Sequence, residues 1–152
     1  MGEHHPAATA QEAQALAERV AAAMYARDRA SQAMGMQLAA IGPGHAELTM
    51  TVRADMLNGH AICHGGFIFT LADSAFAFAC NSYNLNTVAS GCAIDFVAPA
   101  REGDALTARA FERSISGRTG VYDIEVQNQR GETIAYFRGK AYRVRGHVVE
   151  LP

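Results

Sequence analysis

The sequence predicts an α+β fold in which one antiparallel sheet of five or six strands wraps around a single long buried helix. Three observations predict it: an apolar stretch at residues 65–82, two strand-like runs before it, and three or four after it. The apolar stretch is rich in alanine, too long for a typical strand and apolar nearly all round. That pattern is typical of a helix that is buried on most sides, and a sheet that wraps it is the natural way to bury it in a short chain.

The first forty residues predict a helix ahead of the sheet. Thr9 and Glu12 have the spacing of a capping box, and the apolar positions that follow fall on one helical face: Ala13, Leu16, Val20 and Met24. The pattern runs to Met34, where Gly35 is a suitable stop, and a break near Asp28 is compatible with it. We expect residues 1–8 to form a disordered tip and residues 9–152 to form one domain.

Turn signals separate the strand-like runs. Residues 37–41 and 47–53 flank Gly42-Pro43-Gly44, which is a hairpin signal. The runs after the helix cover residues 90–98, 105–113, 121–127 and 133–144. The spacing of the turns between these later runs predicts an antiparallel meander.

Composition excludes several classes of function. The 152-residue chain is 49% hydrophobic and carries a net charge of −2, so nothing in its bulk charge favours nucleic acid or membrane as a partner. The three cysteines, Cys63, Cys80 and Cys92, form no CxxC pair. With no signal-peptide pattern, they predict free thiols in the reducing cytoplasm.

Two features of the buried helix could carry chemistry. Gly65-Gly66 directly before it leaves backbone N–H groups uncovered at a helix N-terminus, where they could bind an oxyanion or polarise a carbonyl. The alternative is that the two glycines only let the helix approach the sheet closely. Asp73 lies mid-helix, where a carboxylate is costly unless it is paired, protonated or used as a base. A structural role, capping a kink or pairing with a basic residue, remains open for Asp73.

The spacing of these features constrains any shared mechanism. Eight residues separate Gly65 from Asp73, which is roughly 12 Å along a helix axis. One reacting carbonyl cannot lie about 3 Å from both groups of the same helix. If both act on one bond they come from different chains, and a two-fold axis then generates two sites.

A series of short motifs resembles the hotdog-fold thioesterases, and within them the phenylacetic acid degradation (PaaI) type. The motifs are Asn58-Gly59, His64-Gly65-Gly66 and Leu71-Ala72-Asp73, supported by the stretches at residues 90–96, 120–125 and 137–140. The resemblance covers nearly the whole chain, from about residue 13 to residue 145. The glycine–aspartate spacing together with the asparagine makes it specific.

The resemblance implies a mechanism and an assembly. The Gly65 N–H would polarise the thioester carbonyl, and Asp73 of a neighbouring subunit would activate a water or attack directly. Asn58 would position the water or substrate, and His64 would orient the site beside the thioester sulfur. Such proteins are dimers of dimers with acyl-CoA in a subunit groove, they need no metal or other cofactor, and they act on small acyl or aryl groups such as phenylacetyl or ring-hydroxylated phenylacetyl.

Further residues are candidates for substrate binding. Gly66 offers a second backbone N–H, and Phe67 and Leu71 would line an apolar pocket suited to a phenyl ring. The phosphates of coenzyme A call for basic or hydroxyl donors, for which the candidates are Arg101, Arg113, Arg118, Thr119 and Arg138. Each of these is alternatively an ordinary solvated side chain. Ser90 is a candidate by analogy with related hotdog enzymes.

Other functions remain as alternatives. A hotdog dehydratase would pair His64 with Asp73 for proton transfer, and a non-catalytic module would bind acyl-CoA without hydrolysing it. A thiol nucleophile at Cys63-His64 lacks an orienting third group. His60, His64 and Asp73 do not have the spacing of metal ligands.

Overall fold

The computed structural model of the protein describes residues 7–151. The predicted disordered tip, residues 1–8, therefore lies outside the described residues except for Ala7 and Ala8, which are exposed. Among residues 7–151, no helix combines the length and the apolar character that crossing a membrane requires.

The predicted α+β architecture is confirmed, with six strands in one sheet. In chain order the elements are α1 (Ala10–Arg27), α2 (Arg29–Ala33), β1 (Gln37–Gly42), β2 (His45–Thr51), a 3-10 turn (Ala54–Met56), α3 (Gly65–Asn81), β3 (Thr87–Phe96), β4 (Ala105–Ser116), β5 (Thr119–Gln127) and β6 (Thr133–Arg143).

The N-terminal helix has the predicted cap and the predicted break. The Thr9 side chain accepts from the Glu12 N–H at 3.1 Å, and the Glu12 carboxylate accepts from the Thr9 N–H at 3.2 Å. Asp28 ends α1 and begins α2, because its carboxylate accepts from both the N–H and the hydroxyl of Ser31, at 2.9 and 2.6 Å. A side chain that caps a new helix in this way interrupts the old one.

The order of the strands differs from the prediction. The sheet runs β1-β2-β4-β5-β6-β3 with every pair antiparallel, so β4, β5 and β6 form a meander but β3 lies beyond β6 at the edge. The meander prediction was wrong for β3. The segment after β3 is bound to the end of β2: the Val52 N–H donates to the Asp104 carbonyl at 2.9 Å, and the Gly103 N–H donates to the Val52 carbonyl at 2.8 Å. These bonds direct β4 to β2 rather than to β3.

Helix α3 supplies the centre of the core. Its buried side chains include Leu71 and Phe76, and the sheet residues opposite them alternate inward along β2, β4 and β5. Full burial of side chains of this size stabilises the fold by about 1.5–3 kcal/mol each. Gly139 on β6 lets the helix approach, since a Cβ there would lie 2.7 Å from Phe76 Cζ.

Edge strand β3 is the least covered part of the sheet. None of its ten residues is buried, and Val88 and Phe96 are 50% and 53% exposed. A long edge strand with exposed apolar side chains is a template for pairing with another strand.

Candidate active site

The N-terminus of α3 is organised by His64. Its Nδ1 accepts a hydrogen bond from the Gly66 N–H at 2.9 Å, which makes His64 the N-cap of the helix. An accepting Nδ1 carries no proton, so the proton of the neutral ring is on Nε2. The Gly66 N–H, predicted to face the substrate, is therefore already bound within the chain.

The Gly65 N–H is the uncovered donor at this helix end. As the first residue of α3 it has no intrahelical acceptor, and no other acceptor for it lies within residues 7–151. The Phe67 N–H, two residues further along the helix, donates to the His64 carbonyl at 3.0 Å. One free N–H at the positive end of a helix dipole is a site for a carbonyl oxygen or an oxyanion.

Gly65 also allows a close contact, as the structural alternative requires. A Cβ on Gly65 would lie 2.9 Å from Cζ and 3.2 Å from Cε1 of Phe96. The absence of a side chain at Gly65 thus leaves room for the Phe96 ring beside the free N–H. Gly65 therefore combines a close contact with an uncovered N–H.

Asn58 lies on the loop that leads into the helix. Its Oδ1 accepts from the His60 N–H at 2.9 Å and from the Ile62 N–H at 3.4 Å, and its own N–H donates to the Ile62 carbonyl at 2.8 Å. The Oδ1 atom of Asn58 therefore stabilises the loop, which includes Ala61 at a φ of +58°. The Nδ2 group donates to no acceptor within the described residues and stays available for a ligand.

Asn58 and Gly65 line a common cavity of about 500 Å³. The rest of its wall is apolar and includes Ile62, Ile68, Phe96, Val97, Ala98 and Pro99. Sequence reasoning missed these residues, because the end of β3 and the loop after it carry no chemical signature. These residues can line a cavity because β3 lies at the edge of the sheet, and the sequence does not predict that position.

The two residues predicted to line the acyl pocket lie elsewhere. Leu71 has no exposed surface and belongs to the core beneath the sheet, and it lines no part of the cavity. Phe67 is half-buried and meets the His64 ring edge-on, with centroids 6.4 Å apart. A helix that is apolar all round gives no indication in its sequence of which face meets the core.

Asp73 is half-buried and has no hydrogen bond or ion pair within residues 7–151. Burial raises the pKa of its carboxyl group. Burial and, after it, the charge of Asp73 raise the pKa of the Cys92 thiol on β3. The pairing with a basic residue that the sequence left open does not occur within the described residues, 7–151. An unpaired carboxylate of raised pKa is suited to accept a proton near neutral pH.

Gly65 and Asp73 lie on one uninterrupted helix, α3. Their separation is therefore roughly 12 Å along its axis. Within one chain, the free N–H and the free carboxylate cannot reach the same carbonyl.

The candidates for binding coenzyme A fall into two groups. Arg101 is exposed and directly follows Ala100, which lines the cavity and accepts from the Cys63 N–H at 2.8 Å. Arg118 lies in the β4–β5 turn and Thr119 begins β5, and both line a cleft with Cys80, which lies at the other end of α3. Arg118 Nη1 donates to the Arg143 carbonyl at 3.3 Å, and Thr119 Oγ1 donates to the Ser116 carbonyl at 2.9 Å.

The remaining candidates are engaged in the sheet. Ser90 is exposed on β3, and its hydroxyl donates to the Lys140 carbonyl at 3.1 Å. Arg113 and Arg138 both pair with Asp123, at 2.9 and 2.7 Å, on the sheet face away from α3.

The alternative chemistries find little support in this geometry. Burial raises the pKa of Cys63 to about 11, which keeps its thiol neutral and a poor nucleophile. In the part of the chain that the structure describes, no cluster of three or more His, Cys, Asp or Glu side chains could hold a metal ion.

Comparison with known proteins agrees with this fold. The family model of the thioesterase superfamily matches residues 60–135, which include the end of the Asn58 loop and all of α3. Acyl-coenzyme A thioesterase PaaI of Escherichia coli K12 is 52% identical over 126 residues, which are 83% of this chain and 90% of that protein.

Solved structures give the same result. The structure of the E. coli PaaI protein from the phenylacetic acid degradation operon superposes with a TM-score of 0.87 at 51% identity, covering 88% of this chain and 97% of that one. A variant of the phenylacetic acid degradation protein PaaI from Thermus thermophilus superposes with a TM-score of 0.74 at 39% identity, covering 77% and 100%. The chain belongs to the thioesterase superfamily and, within it, to the PaaI type of hotdog-fold acyl-CoA thioesterases.

Proposed function

We propose that the protein hydrolyses aryl or small acyl-CoA thioesters, such as phenylacetyl-CoA or hydroxyphenylacetyl-CoA, at sites shared by two copies of the chain. One observation carries the proposal. Helix α3 holds a free N–H at Gly65 and an unpaired carboxylate at Asp73, too far apart to act together in one chain. Two antiparallel α3 helices across a two-fold axis would bring each Gly65 to the partner subunit's Asp73.

The reaction follows from these two groups. The thioester carbonyl oxygen accepts from the Gly65 N–H, so the negative charge that develops on it during attack is stabilised at the helix N-terminus. Asp73 either takes a proton from the attacking water or attacks the carbonyl carbon itself, giving a mixed anhydride that water then hydrolyses. Collapse of the tetrahedral intermediate breaks the C–S bond, and the coenzyme A thiolate leaves and takes up a proton. The products are the free acid and coenzyme A.

Edge strand β3 supports the pairing of two copies. It is long, it carries the exposed apolar residues Val88 and Ala89, and helix α3 packs against it. A second β3 paired with it would cover this edge and bring the two α3 helices together. We propose a dimer formed in this way and, by resemblance, a dimer of dimers. Sedimentation that gave only monomer would contradict both.

The same geometry supports a role for both groups of candidate coenzyme A ligands. When two α3 helices are antiparallel, the C-terminal end of one extends past the N-terminal end of the other. Arg118 and Thr119, near the C-terminal end, would then approach the partner's Gly65, where that chain also has Arg101. Basic side chains from both subunits would meet the phosphates. Asn58 Nδ2 and His64 Nε2 complete the site as donors.

For the compartment and the cofactor requirement, we keep the predictions made from the sequence. We propose a cytoplasmic enzyme, which the three free thiols of Cys63, Cys80 and Cys92 support. Coenzyme A is part of the substrate, and the two acting groups, an N–H and a carboxylate, perform the hydrolysis without another cofactor.

The first experiment measures thiol release from phenylacetyl-CoA by the wild type and by Asp73→Asn. We expect the variant to be folded and oligomeric and to lose at least about 10²-fold in kcat, the range for a positioned proton acceptor. Release that persists in Asp73→Asn would retain the thioesterase and remove this mechanism. An absence of release by the wild type with phenylacetyl, benzoyl and short acyl esters would refute the proposed function.

A mixing experiment tests the shared site. Gly65→Pro removes the N–H, and Asp73→Asn removes the carboxylate. Coexpressed, half of the dimers carry one chain of each kind, and each such dimer has one intact site and one without either group. We expect about a quarter of wild-type activity from two nearly inactive parents. A site contained in one chain would give no recovery.

A further inference from the structure

We propose that the acyl group occupies the apolar cavity beside Gly65 and that Phe96 determines which acyl groups fit; the inference rests on the proposed function. Sequence reasoning assigned the acyl pocket to Phe67 and Leu71, neither of which lines the cavity. Phe96 does line it, together with Val97 and Ala98. The specificity of the enzyme therefore depends on the end of β3 together with the first turn of α3, where Gly65 and Ile68 line the cavity, and not on Phe67 or Leu71.

The walls of the cavity favour an acyl group over the pantetheine arm of coenzyme A. The backbone N–H of Cys63 donates to the Ala100 carbonyl at 2.8 Å, and those of Val97 and Ala98 donate to the Ile134 carbonyl at 2.9 and 3.3 Å. Pro99 has no N–H. The amides of pantetheine would lose hydrogen bonds to water and find few donors in exchange, which is unfavourable. An apolar acyl group has no such loss.

Phe96 is placed to contact the acyl group next to its carbonyl. Its ring edge lies against the Cα of Gly65, where a Cβ would be 2.9 Å from Cζ. Phe96 is 53% exposed, and the exposed surface of its ring lines the open cavity. A carbonyl oxygen held by the Gly65 N–H places the first atoms of the acyl group against this ring.

The size of the cavity agrees with an aryl group. An apolar cavity of about 150 Å³ holds benzene. The 500 Å³ beside Gly65 therefore accommodates one ring with space left for a ring substituent and for the second subunit's side chains. Loss of the Phe96 ring would enlarge the cavity where the acyl group begins.

The test compares kcat/KM for phenylacetyl-CoA and for the bulkier naphthylacetyl-CoA. We expect Phe96→Ala to lower kcat/KM for phenylacetyl-CoA and to shift the ratio toward naphthylacetyl-CoA by about tenfold or more, the usual effect of a reshaped apolar pocket. Ala98→Leu fills the cavity and is expected to shift the ratio in the opposite direction.

Tyr136→Ala is the matched control. Tyr136 is 52% exposed, close to the value for Phe96, but it lies with Phe111 on the sheet face away from α3 and does not line the cavity. We expect it to leave the ratio unchanged. Sedimentation of each variant shows whether it is assembled, and if Phe96→Ala does not assemble, Phe96→Leu and Ala98→Leu decide.

The outcomes are distinguishable. An unchanged ratio in assembled variants at both positions overturns the inference while the wild type still hydrolyses phenylacetyl-CoA. A ratio that Tyr136→Ala shifts equally also overturns it. A wild type without activity on any ester refutes the proposed function instead.

Discussion

The two ends of helix α3 differ in whether their polar groups have hydrogen-bond partners within the chain. At the C-terminal end, Asn81 Nδ2 donates to the Ala77 and Thr87 carbonyls at 2.9 and 3.0 Å, while its Oδ1 accepts from the Thr87 N–H at 2.9 Å. The Ser82 hydroxyl donates to the Ala79 carbonyl at 2.7 Å and accepts from the Gly44 N–H at 2.8 Å. Every one of these bonds is completed within a single chain.

From the N-terminus to the middle of the helix the pattern is reversed. The Gly65 N–H and the Asp73 carboxylate have no partner within residues 7–151, and an apolar cavity adjoins the first of them. Polar groups that lose their water are almost always paired in folded proteins, so half-buried groups without a partner are available to a ligand or a second chain. The comparison separates the part of the helix that maintains the fold from the part to which we assign the chemistry.

The largest expected effect comes from removing the free N–H. Gly65→Pro deletes that N–H and adds a side-chain ring, and proline is tolerated at the first position of a helix, the more so because His64 already has an extended ψ of 132°. Gly65→Ala is the control, since it adds the same Cβ beside Phe96 but keeps the N–H. We expect kcat of the proline variant to be about 10²–10³ lower than that of the alanine variant, the usual effect of losing one oxyanion donor. Equal kcat values in the two variants would show that the N–H has no part in the reaction.

The opposite end of the helix should respond in stability and not in activity. The hydroxyls of Tyr83 and Tyr122 donate to Glu112 Oε2 at 2.8 and 3.1 Å, and burial together with this carboxylate raises the pKa of Tyr83 to about 12. Glu112→Ala leaves two hydroxyls without an acceptor, which costs about 1–3 kcal/mol for each. Urea denaturation measures the loss, and Glu112→Gln, which keeps an acceptor oxygen, should recover part of it. A loss of kcat in the folded variant would contradict the division between the two ends.

The His64 cap should give a smaller effect at the N-terminal end. His64→Ala leaves the Gly66 N–H without its acceptor, and loss of an N-cap costs about 1 kcal/mol. Asparagine is a good N-cap, so His64→Asn should recover the stability. We expect kcat to fall several-fold in both variants, because the proposed site uses His64 Nε2 as a donor. If asparagine restores kcat together with stability, the imidazole acts only as the helix cap.

The residue types of the candidate site were more visible in the sequence than its geometry. The glycines before the buried helix, the mid-helix Asp73 and the spacing between them were all visible as residue types at fixed positions. The engagement of the Gly66 N–H by His64 was not, because a histidine before a helix can turn its ring in several directions. The placement of β3 beyond β6 follows from the pairing of β3 with β6, a strand about 45 residues later in the chain, which no local pattern contains.

The walls of the pocket show the same limit of prediction from sequence. Leu71 and Phe96 are both large apolar residues, and the sequence gives no reason to prefer one as a pocket wall. Leu71 belongs to the core because α3 is covered by the sheet on that side, whereas Phe96 is exposed because its strand has only one neighbour. Burial of this kind is decided by the complete sheet.

The smallest expected effect is a pH-dependent change in stability that has opposite signs at two carboxylates. Burial raises the pKa of Asp73, so the fold favours its protonated form and the ionised form destabilises the protein above that pKa. Asp73→Asn should therefore raise Tm at pH 7, and the gain should vanish as the pH falls below the pKa of the unfolded chain, where the acid is protonated in both states. Asp104 is the control: a hydrogen bond from Gln129, then one from the Arg101 N–H, lowers its pKa, so Asp104→Asn should lower Tm at pH 7 and lose that effect in acid. Thermal unfolding of both variants between about pH 3 and pH 8 measures the two slopes. Equal signs would mean that Asp73 has a partner in the assembled protein, and that its carboxylate is held for the fold and not for the substrate.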